Sequence, residues 1–216
     1  MQRNFSLIII VLGIILLGVV VVPFTLSQLN YWLTRKTVII DPSVRSLTQA
    51  PQILGTSAND LYSASQWFPG SPKNTITQSK VSFYKLSIPS VNIENVSVEI
   101  NGDDLFKGPI QNPGTALPGT YGNTVIFGHS TSPFLYKVGN PLSVFNPLLK
   151  IKTGDDITIV YDGIIYRYRV QNIGEMEPDQ IEVLAQRYDK YELTLVTCTP
   201  LGTYLRRFVV RAELVN

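Results

Sequence analysis

The chain has 216 residues, a formal net charge of +2 and 44% hydrophobic residues. This length accommodates one ordinary domain with some additional material. The charge is too small, and the lysines and arginines are too dispersed, to indicate a nucleic-acid partner. The chain contains one cysteine. Because a single thiol cannot form an internal disulfide, cysteine usage does not report the redox compartment.

Residues 1–33 are predicted to form an N-terminal transmembrane anchor. No charged residue lies between Arg3 and Arg35, and the apolar run at 7–22 continues toward Trp32. A helix of roughly 20 apolar residues crosses a bilayer, and an aromatic residue at its end suits the membrane interface. A cleaved signal peptide is the alternative, but its apolar region is normally shorter and is followed by a small-residue cleavage site. We therefore expect a retained helix in membrane lipid.

Residues 34–80 are predicted to form an extracytoplasmic stalk or linker. Four prolines interrupt this stretch, and serine, threonine, asparagine and glutamine are frequent. Such a composition does not bury enough apolar surface to form a core of its own. A short helix is expected over 58–67, and the Trp67-Phe68 pair is expected to dock it onto the following domain. The Asp41-Pro42 dipeptide is interpreted as ordinary linker material.

Residues 81–216 show the pattern of an all-β domain. Short β-branched and aromatic runs alternate with glycine, proline, asparagine and aspartate, which is typical of strands separated by turns. The predicted strands cover 81–88, 91–100, 123–129, 156–161, 164–171, 192–198 and 207–214. The Asp162-Gly163 pair predicts a tight hairpin turn, and single helical turns are expected near 134–137 and 142–149. Many short strands of this kind predict a closed or nearly closed barrel.

Three side chains at strand ends have complementary chemistry. Cys198 and His129, the only cysteine and the only histidine, each end a predicted strand, and Arg207 begins another. A thiol, an imidazole and a guanidinium can act as nucleophile, general acid/base and oxyanion stabiliser. Strand alternation places Cys198 and Arg207 away from the core, with Arg206 on the other face. A lone cysteine is more often buried and inert, so these residues alone leave that interpretation open.

Three separated motifs resemble the sortase family, the membrane-anchored cysteine transpeptidases of bacterial surfaces. Residues 193–200, followed by Arg207, are similar to the family signature T-L-x-T-C with a downstream arginine. Residues 122–129 match the motif G-N-x-x-x-x-G-H, and 84–89 resemble the opening strand that ends in I-P. The resemblance spans roughly 81–215 and implies a closed eight-stranded sortase-type β-barrel with short helices.

The same resemblance implies roles for individual residues. It makes Cys198 the nucleophile, His129 the general acid/base and Arg207 the stabiliser of the substrate carbonyl or oxyanion. Thr197 matches the threonine before the cysteine, which contributes to the substrate groove, and the backbone N–H of Thr199 is the expected second oxyanion donor. No cofactor is expected. No metal is expected either, because one acidic cluster near 175–179 without a partner cluster is more typical of a solvated loop.

The implied activity is cleavage of an LPXTG-like sorting signal through a cysteine thioester. The acyl group is then transferred to an amine on a peptidoglycan precursor or on a protein lysine. Because such substrates lie outside the cell, the resemblance implies a cytoplasmic N-terminus and an extracytoplasmic catalytic domain, with 171–191 lining the specificity groove. Two alternatives remain from the sequence: a thiol endopeptidase that cleaves without transfer, and a non-catalytic surface-binding barrel.

Overall fold

The computed structural model describes residues 12–19, 21–22, 25–26, 29, 63–68 and 76–215. The chain divides into two compact units, Met1–Asp41 and Pro42–Asn216. In the first unit, residues 12–19 are helical. Within the described ranges, no helix combines the length and the apolarity that a membrane crossing requires. Much of the predicted anchor (1–33) and most of the predicted stalk (34–80) lie outside the described residues.

The second unit contains a closed barrel of eight strands. Its strands are β1 (Phe83–Ile88), β2 (Ile93–Ile100), β3 (Ile110–Gln111), β4 (Gly122–Phe127), β5 (Asp156–Tyr161), β6 (Ile164–Met176), β7 (Tyr191–Thr199) and β8 (Arg206–Val215). Their order around the barrel is β1-β2-β3-β4-β7-β8-β6-β5, and β5 pairs back with β1. The β2–β3 and β4–β7 pairs are parallel, and the other pairs are antiparallel. The predicted closed eight-stranded barrel is thus confirmed.

Differences from the predicted elements have local causes. Strand β6 continues to Met176, because a bulge between Val170 and Asn172 lets its second half stay paired with β8. Strand β3 has only two residues and was missed by the pattern. The connections contain single 3-10 turns, at Ala64–Gln66, Pro89–Val91, Pro133–Leu135, Pro141–Ser143, Asn146–Lys150 and Ile181–Leu184. The predicted hairpin turn is present, with positive φ at Asp162 (48°) and Gly163 (77°).

Two hydrophobic clusters lie on opposite sides of the barrel wall. Along β7, Leu193 and Leu195 belong to the inner cluster, whereas Val196 and Cys198 belong to the outer cluster. This alternation follows from the two-residue period of a strand. The outer cluster also contains Trp67 and Phe68, each 1% exposed.

These two aromatic residues belong to a short stretch, 63–68, which we call the covering segment. The predicted docking of the aromatic pair onto the barrel is therefore confirmed, and the pair contacts Phe127 of β4 and Arg207 of β8.

Candidate active site

The end of β4 holds the histidine in a fixed place. The Gly128 N–H donates to the Val196 carbonyl at 3.1 Å, and the Phe145 N–H donates to the His129 carbonyl at 3.0 Å. A Cβ at position 128 would lie 2.4 Å from the Phe145 ring, so glycine allows this close approach. The histidine backbone is therefore held from both sides as the chain leaves the strand.

The next residues continue this restraint. The Ser130 hydroxyl donates to the Cys198 carbonyl at 2.7 Å. The Asn146 side chain accepts from the Thr131 N–H at 2.7 Å and donates to the Thr131 carbonyl at 2.9 Å. The turn after the histidine is thus tied to the cysteine strand and to the Asn146 turn. Sequence reasoning missed Ser130; its place beside the histidine was the available signal.

The cysteine and the arginine face each other across neighbouring strands. Cys198 pairs with Arg207 in the antiparallel β7–β8 register. The Arg207 Nη1 atom donates to the Cys198 sulfur at 3.5 Å and to the Tyr204 carbonyl at 3.2 Å. Its Nη2 atom donates to the Trp67 carbonyl at 3.1 Å. The guanidinium therefore links the thiol, the β7–β8 loop and the covering segment.

The neighbouring arginine points elsewhere. Arg206 forms ion pairs with Glu175, at 3.7 Å, and with Glu177. Glu175, within β6, and Glu177, just after it, thus face a cation of the same chain. Within the described part of the chain, no group of three or more histidine, cysteine, aspartate or glutamate residues is arranged to hold a metal ion. The opposite directions of Arg206 and Arg207 follow the alternation of β8.

Trp67 covers the site. Its ring lies 5.6 Å from the His129 ring in an edge-on arrangement, and 5.2 Å from the Arg207 Cζ atom. It also stacks on Phe127, with ring centroids 5.5 Å apart. The exposed fractions are 0% for Cys198, 3% for His129 and 4% for Arg207. The three side chains therefore lie under the covering segment and are shielded from solvent.

Burial controls the charge states of these groups. It raises the pKa of the Cys198 thiol to about 11, although Arg207 acts in the opposite direction. Burial lowers the pKa of His129 to about 4, opposed by the charge of Asp104. Burial also lowers the pKa of Arg207 from its ordinary value, while Cys198 raises it. At neutral pH the covered site therefore contains a neutral thiol and a neutral imidazole, and little of the nucleophilic thiolate.

The two threonines beside the cysteine have different positions. Thr197 is fully buried, and strand alternation places its side chain on the inner face with Leu195, opposite Cys198. Within the described residues, its Oγ1 atom has no hydrogen-bond partner. Thr199 is the last residue of β7 and pairs with Arg206. A direct groove contact by the Thr197 side chain thus requires a different local geometry.

An open cavity of about 570 Å³ lies elsewhere on the barrel, next to β2. Its lining includes Glu94, Lys107, Tyr136 and Lys137, and it does not include the cysteine, the histidine or the arginine. This cavity therefore does not border the thiol.

Three comparisons with known proteins each find similarity to sortases. The family model described as "Sortase domain" matches residues 86–215. The chain is 30% identical over 133 residues to Sortase A of Bacillus anthracis, which covers 61% of this chain and 59% of that protein. It is 35% identical over 77 residues to Sortase A of Streptococcus agalactiae, covering 35% of this chain and 30% of that protein. The aligned regions thus span less than two thirds of these relatives.

Solved structures of similar fold support this match. A lid mutant of Sortase A from Corynebacterium diphtheriae has a TM-score of 0.56 and 27% identity, covering 73% of this chain and 92% of that one. A sortase D5 transpeptidase from Clostridium perfringens has a TM-score of 0.53 and 26% identity, covering 64% and 82%. The family model accounts for the whole barrel apart from its first few residues, and so the chain belongs to the sortase family.

Proposed function

We propose that this chain is a cysteine transpeptidase that acts on sorting-signal-bearing surface proteins. The observation that carries the proposal is the contact between the Arg207 guanidinium and the Cys198 sulfur, with the His129 ring beside the same tryptophan that packs against the guanidinium. A thiol, a guanidinium and an imidazole on adjoining strand ends form an arrangement suited to acyl transfer.

The proposed reaction has two acyl transfers. The Cys198 thiolate attacks a backbone carbonyl in an LPXTG-like signal, the C–N bond breaks, and His129 protonates the departing amine. The resulting thioester reacts with an incoming amine, which gives its proton to His129 and releases the thiolate. In both steps Arg207 donates to the oxygen that gains negative charge, with the Thr199 N–H as a second donor. Thr197 joins the groove only if the end of β7 rearranges, because its side chain faces the barrel interior.

The covering segment sets a condition on this reaction. Trp67 must leave before a substrate carbonyl can reach the cysteine, because the thiol is fully buried. Its departure reverses the desolvation that keeps the thiol and the imidazole neutral, so the thiol pKa falls and the imidazole pKa rises. Opening thus both admits the substrate and increases the population of the charged, reactive forms.

The proposed setting is the cell envelope. Residues 1–33 anchor the chain in membrane lipid with a cytoplasmic N-terminus, 34–80 form an extracytoplasmic stalk, and 81–216 form the catalytic barrel. The acceptor is an amine on a peptidoglycan precursor or on a protein lysine. These assignments are supported by the apolar sequence at 7–22 and by membership of the family.

The test is detection of the covalent intermediate. The full-length chain is incubated with LPXTG-like peptides, with and without a peptide amine, and analysed by mass spectrometry. We expect an acyl adduct on Cys198, and an amide product when the amine is present. Cys198→Ala is the control and should give neither. A folded wild-type chain that forms no adduct with any peptide contradicts the proposal, and purely hydrolytic product supports an endopeptidase instead.

A further inference from the structure

The hydrogen-bond ladder between β4 and β7 continues past the end of β4, where a side-chain hydroxyl takes the place of a backbone donor. The parallel register runs from Gly122 opposite Tyr191 to Phe127 opposite Val196. The next backbone bond is Gly128 N–H to the Val196 carbonyl. Bonds of a parallel ladder recur every second residue along each strand.

The next ladder position therefore joins residue 130 to the Cys198 carbonyl. A regular strand would use the backbone N–H of Ser130 for this bond. Here the Ser130 hydroxyl donates instead, at 2.7 Å, and the residue is only 6% exposed. A side-chain hydroxyl thus replaces one main-chain donor at the position that follows the histidine.

Use of the hydroxyl in place of the backbone N–H allows the chain to turn without losing the hydrogen bond to β7. The chain must leave the strand direction after His129, because its carbonyl accepts from Phe145 and a 3-10 turn begins at Pro133. If the backbone alone supplied donors, leaving the strand would deprive the buried Cys198 carbonyl of its partner, which is costly. The hydroxyl lets the backbone turn while the bond to the cysteine strand is kept.

We propose that Ser130 is a positioning residue that fixes His129 relative to Cys198, an inference that rests on the proposed function. His129 lies between two hydrogen bonds to β7, one from Gly128 and one from Ser130. Because peptide units are planar, the bond to the Cys198 carbonyl also orients the N–H of Thr199 in the same unit. One hydroxyl therefore sets the positions of the general acid/base and of the peptide that follows the nucleophile.

The chain offers closely matched variants for testing this role. Threonine at position 130 keeps the hydroxyl, and valine has nearly the same shape without it, so S130T and S130V differ in one donor. S130A removes the hydroxyl without adding bulk. S132A is the control, because Ser132 precedes the next turn without a side-chain capping bond.

Steady-state transfer by the full-length chain is the first measurement. We expect S130A and S130V to lower kcat about tenfold with KM changed less than about twofold, since a positioned hydrogen bond is lost rather than a substrate contact. We expect S130T and S132A to stay within about threefold of wild type. If folded S130A and S130V keep the wild-type kcat, or if S130T is as impaired as S130V, the proposal is overturned.

The second measurement does not depend on activity. His129 is the only histidine in the chain, so its imidazole gives one NMR signal set that can be titrated without assignment mutants. Loss of the bond in S130V should admit water and raise the His129 pKa toward 6.5, whereas S130T should leave it low. An unchanged titration in S130V overturns the proposal.

The two measurements separate this inference from the proposed function. A wild-type chain that gives no acyl adduct, but whose histidine titration shifts in S130V and not in S130T, contradicts the transpeptidase function and retains the positioning role. An active wild-type chain with the same kcat in S130T and S130V retains the function and removes the role. If S130A does not fold, the S130T and S130V pair gives the answer.

Discussion

Arg207 holds the covered site together, and the proposed function gives it a second role once Trp67 has moved. In the covered state its Nη2 atom holds the Trp67 carbonyl, and its Nη1 atom is shared by the Cys198 sulfur and the Tyr204 carbonyl. When Trp67 leaves, one face of the guanidinium becomes available for a substrate oxygen. The residue therefore retains the covering segment in this state, and the proposed mechanism assigns it to the oxyanion after that segment has moved.

Replacement of Arg207 by lysine should distinguish the contribution of its charge from that of its planar set of hydrogen-bond donors. We expect Arg207→Lys to lower kcat/KM for peptide transfer by about 10²–10³, because lysine keeps the charge but loses the planar fork of donors. The matched control is Arg206→Lys, whose head group pairs with Glu175 and Glu177 and which should stay within about twofold of wild type. Equal losses in the two variants would contradict the role given to Arg207.

The buried histidine makes stability depend on pH. An unfolded histidine takes up a proton below about 6.5, whereas folded His129 does so only near 4. The unfolded state therefore binds more protons between these values, and stability falls as the pH decreases from 6.5 to 4. The loss attributable to this residue should approach about 3 kcal/mol.

Urea unfolding at pH 7 and pH 4.5 measures this dependence. We expect His129→Asn to remove most of the difference that the histidine contributes, because asparagine does not titrate. A wild-type chain and an H129N variant with the same change of unfolding free energy between the two pH values would contradict the assigned burial.

Sequence reasoning at this scale succeeded where local alternation was sufficient. The two-residue period placed Cys198 and Arg207 on one side of the wall and Arg206 on the other, as the structure has them. It did not reveal that Cys198 is covered, because the covering segment lies far away in the sequence: its hydrogen bond to Arg207 joins residues 140 positions apart. The bond from the Ser130 hydroxyl to the Cys198 carbonyl was also missed: its place beside the histidine was the only signal, and the bond depends on where β4 ends relative to β7.

The first residues of the covering segment are held by one aspartate. The Asp103 carboxylate accepts from the Ser63 hydroxyl at 2.6 Å and from the Ser65 N–H at 2.8 Å. The main-chain carbonyl of Asp103 accepts from the Ala64 N–H at 2.9 Å. Trp67 and Phe68 add apolar contact at the other end. A polar clamp and an aromatic anchor thus hold six residues against the barrel, and weakening either one should favour opening.

Release of the covering segment should be visible as faster reaction of the Cys198 thiol. We expect Asp103→Ala and Trp67→Ala to accelerate iodoacetamide alkylation of Cys198 at pH 8, because opening exposes the sulfur and lowers its pKa from about 11. The midpoint of the pH dependence should move toward the ordinary cysteine value near 8.5. Mass spectrometry follows the single thiol directly, since the chain has no other cysteine.

The control for this experiment is Asp189→Ala. Asp189 is exposed and pairs with Arg187, away from the covering segment. Its replacement should leave the alkylation rate unchanged. Alkylation that is equally slow in wild type, D103A and W67A would show that the segment does not limit access to the sulfur.

At the scale of the whole molecule, the two hydrophobic clusters on either side of the barrel wall have different expected effects: the inner one stabilises the barrel, and the outer one limits access to the thiol. The inner cluster draws residues from seven strands and fills the barrel, whereas the outer cluster joins the site strands to the covering segment. The sequence predicted the barrel because its strands carry clear two-residue patterns and its turns carry glycine, asparagine and aspartate. It predicted that Trp67 and Phe68 dock onto the domain but not where, because an outward apolar residue such as Val196 has the same pattern whether solvent or another segment covers it.

Neighbouring residues of β7 allow the two clusters to be tested separately. Leu195 and Val196 are both fully buried but face opposite sides of the wall. We expect Leu195→Ala to destabilise the fold by about 2–5 kcal/mol, because it leaves a cavity inside the barrel. At low denaturant it should leave the alkylation rate of Cys198 near that of wild type.

We expect Val196→Ala to have the opposite pattern: a smaller loss of stability and a larger increase in the alkylation rate of Cys198. It removes less apolar volume and so costs less global stability, but it loosens the packing under Trp67 and should accelerate alkylation. Unfolding free energies and alkylation rates measured on the same preparations give both quantities. If L195A accelerates alkylation as much as V196A does while still folded, the two clusters behave as one unit, and opening of the site requires loosening of the whole barrel rather than displacement of a segment on its surface.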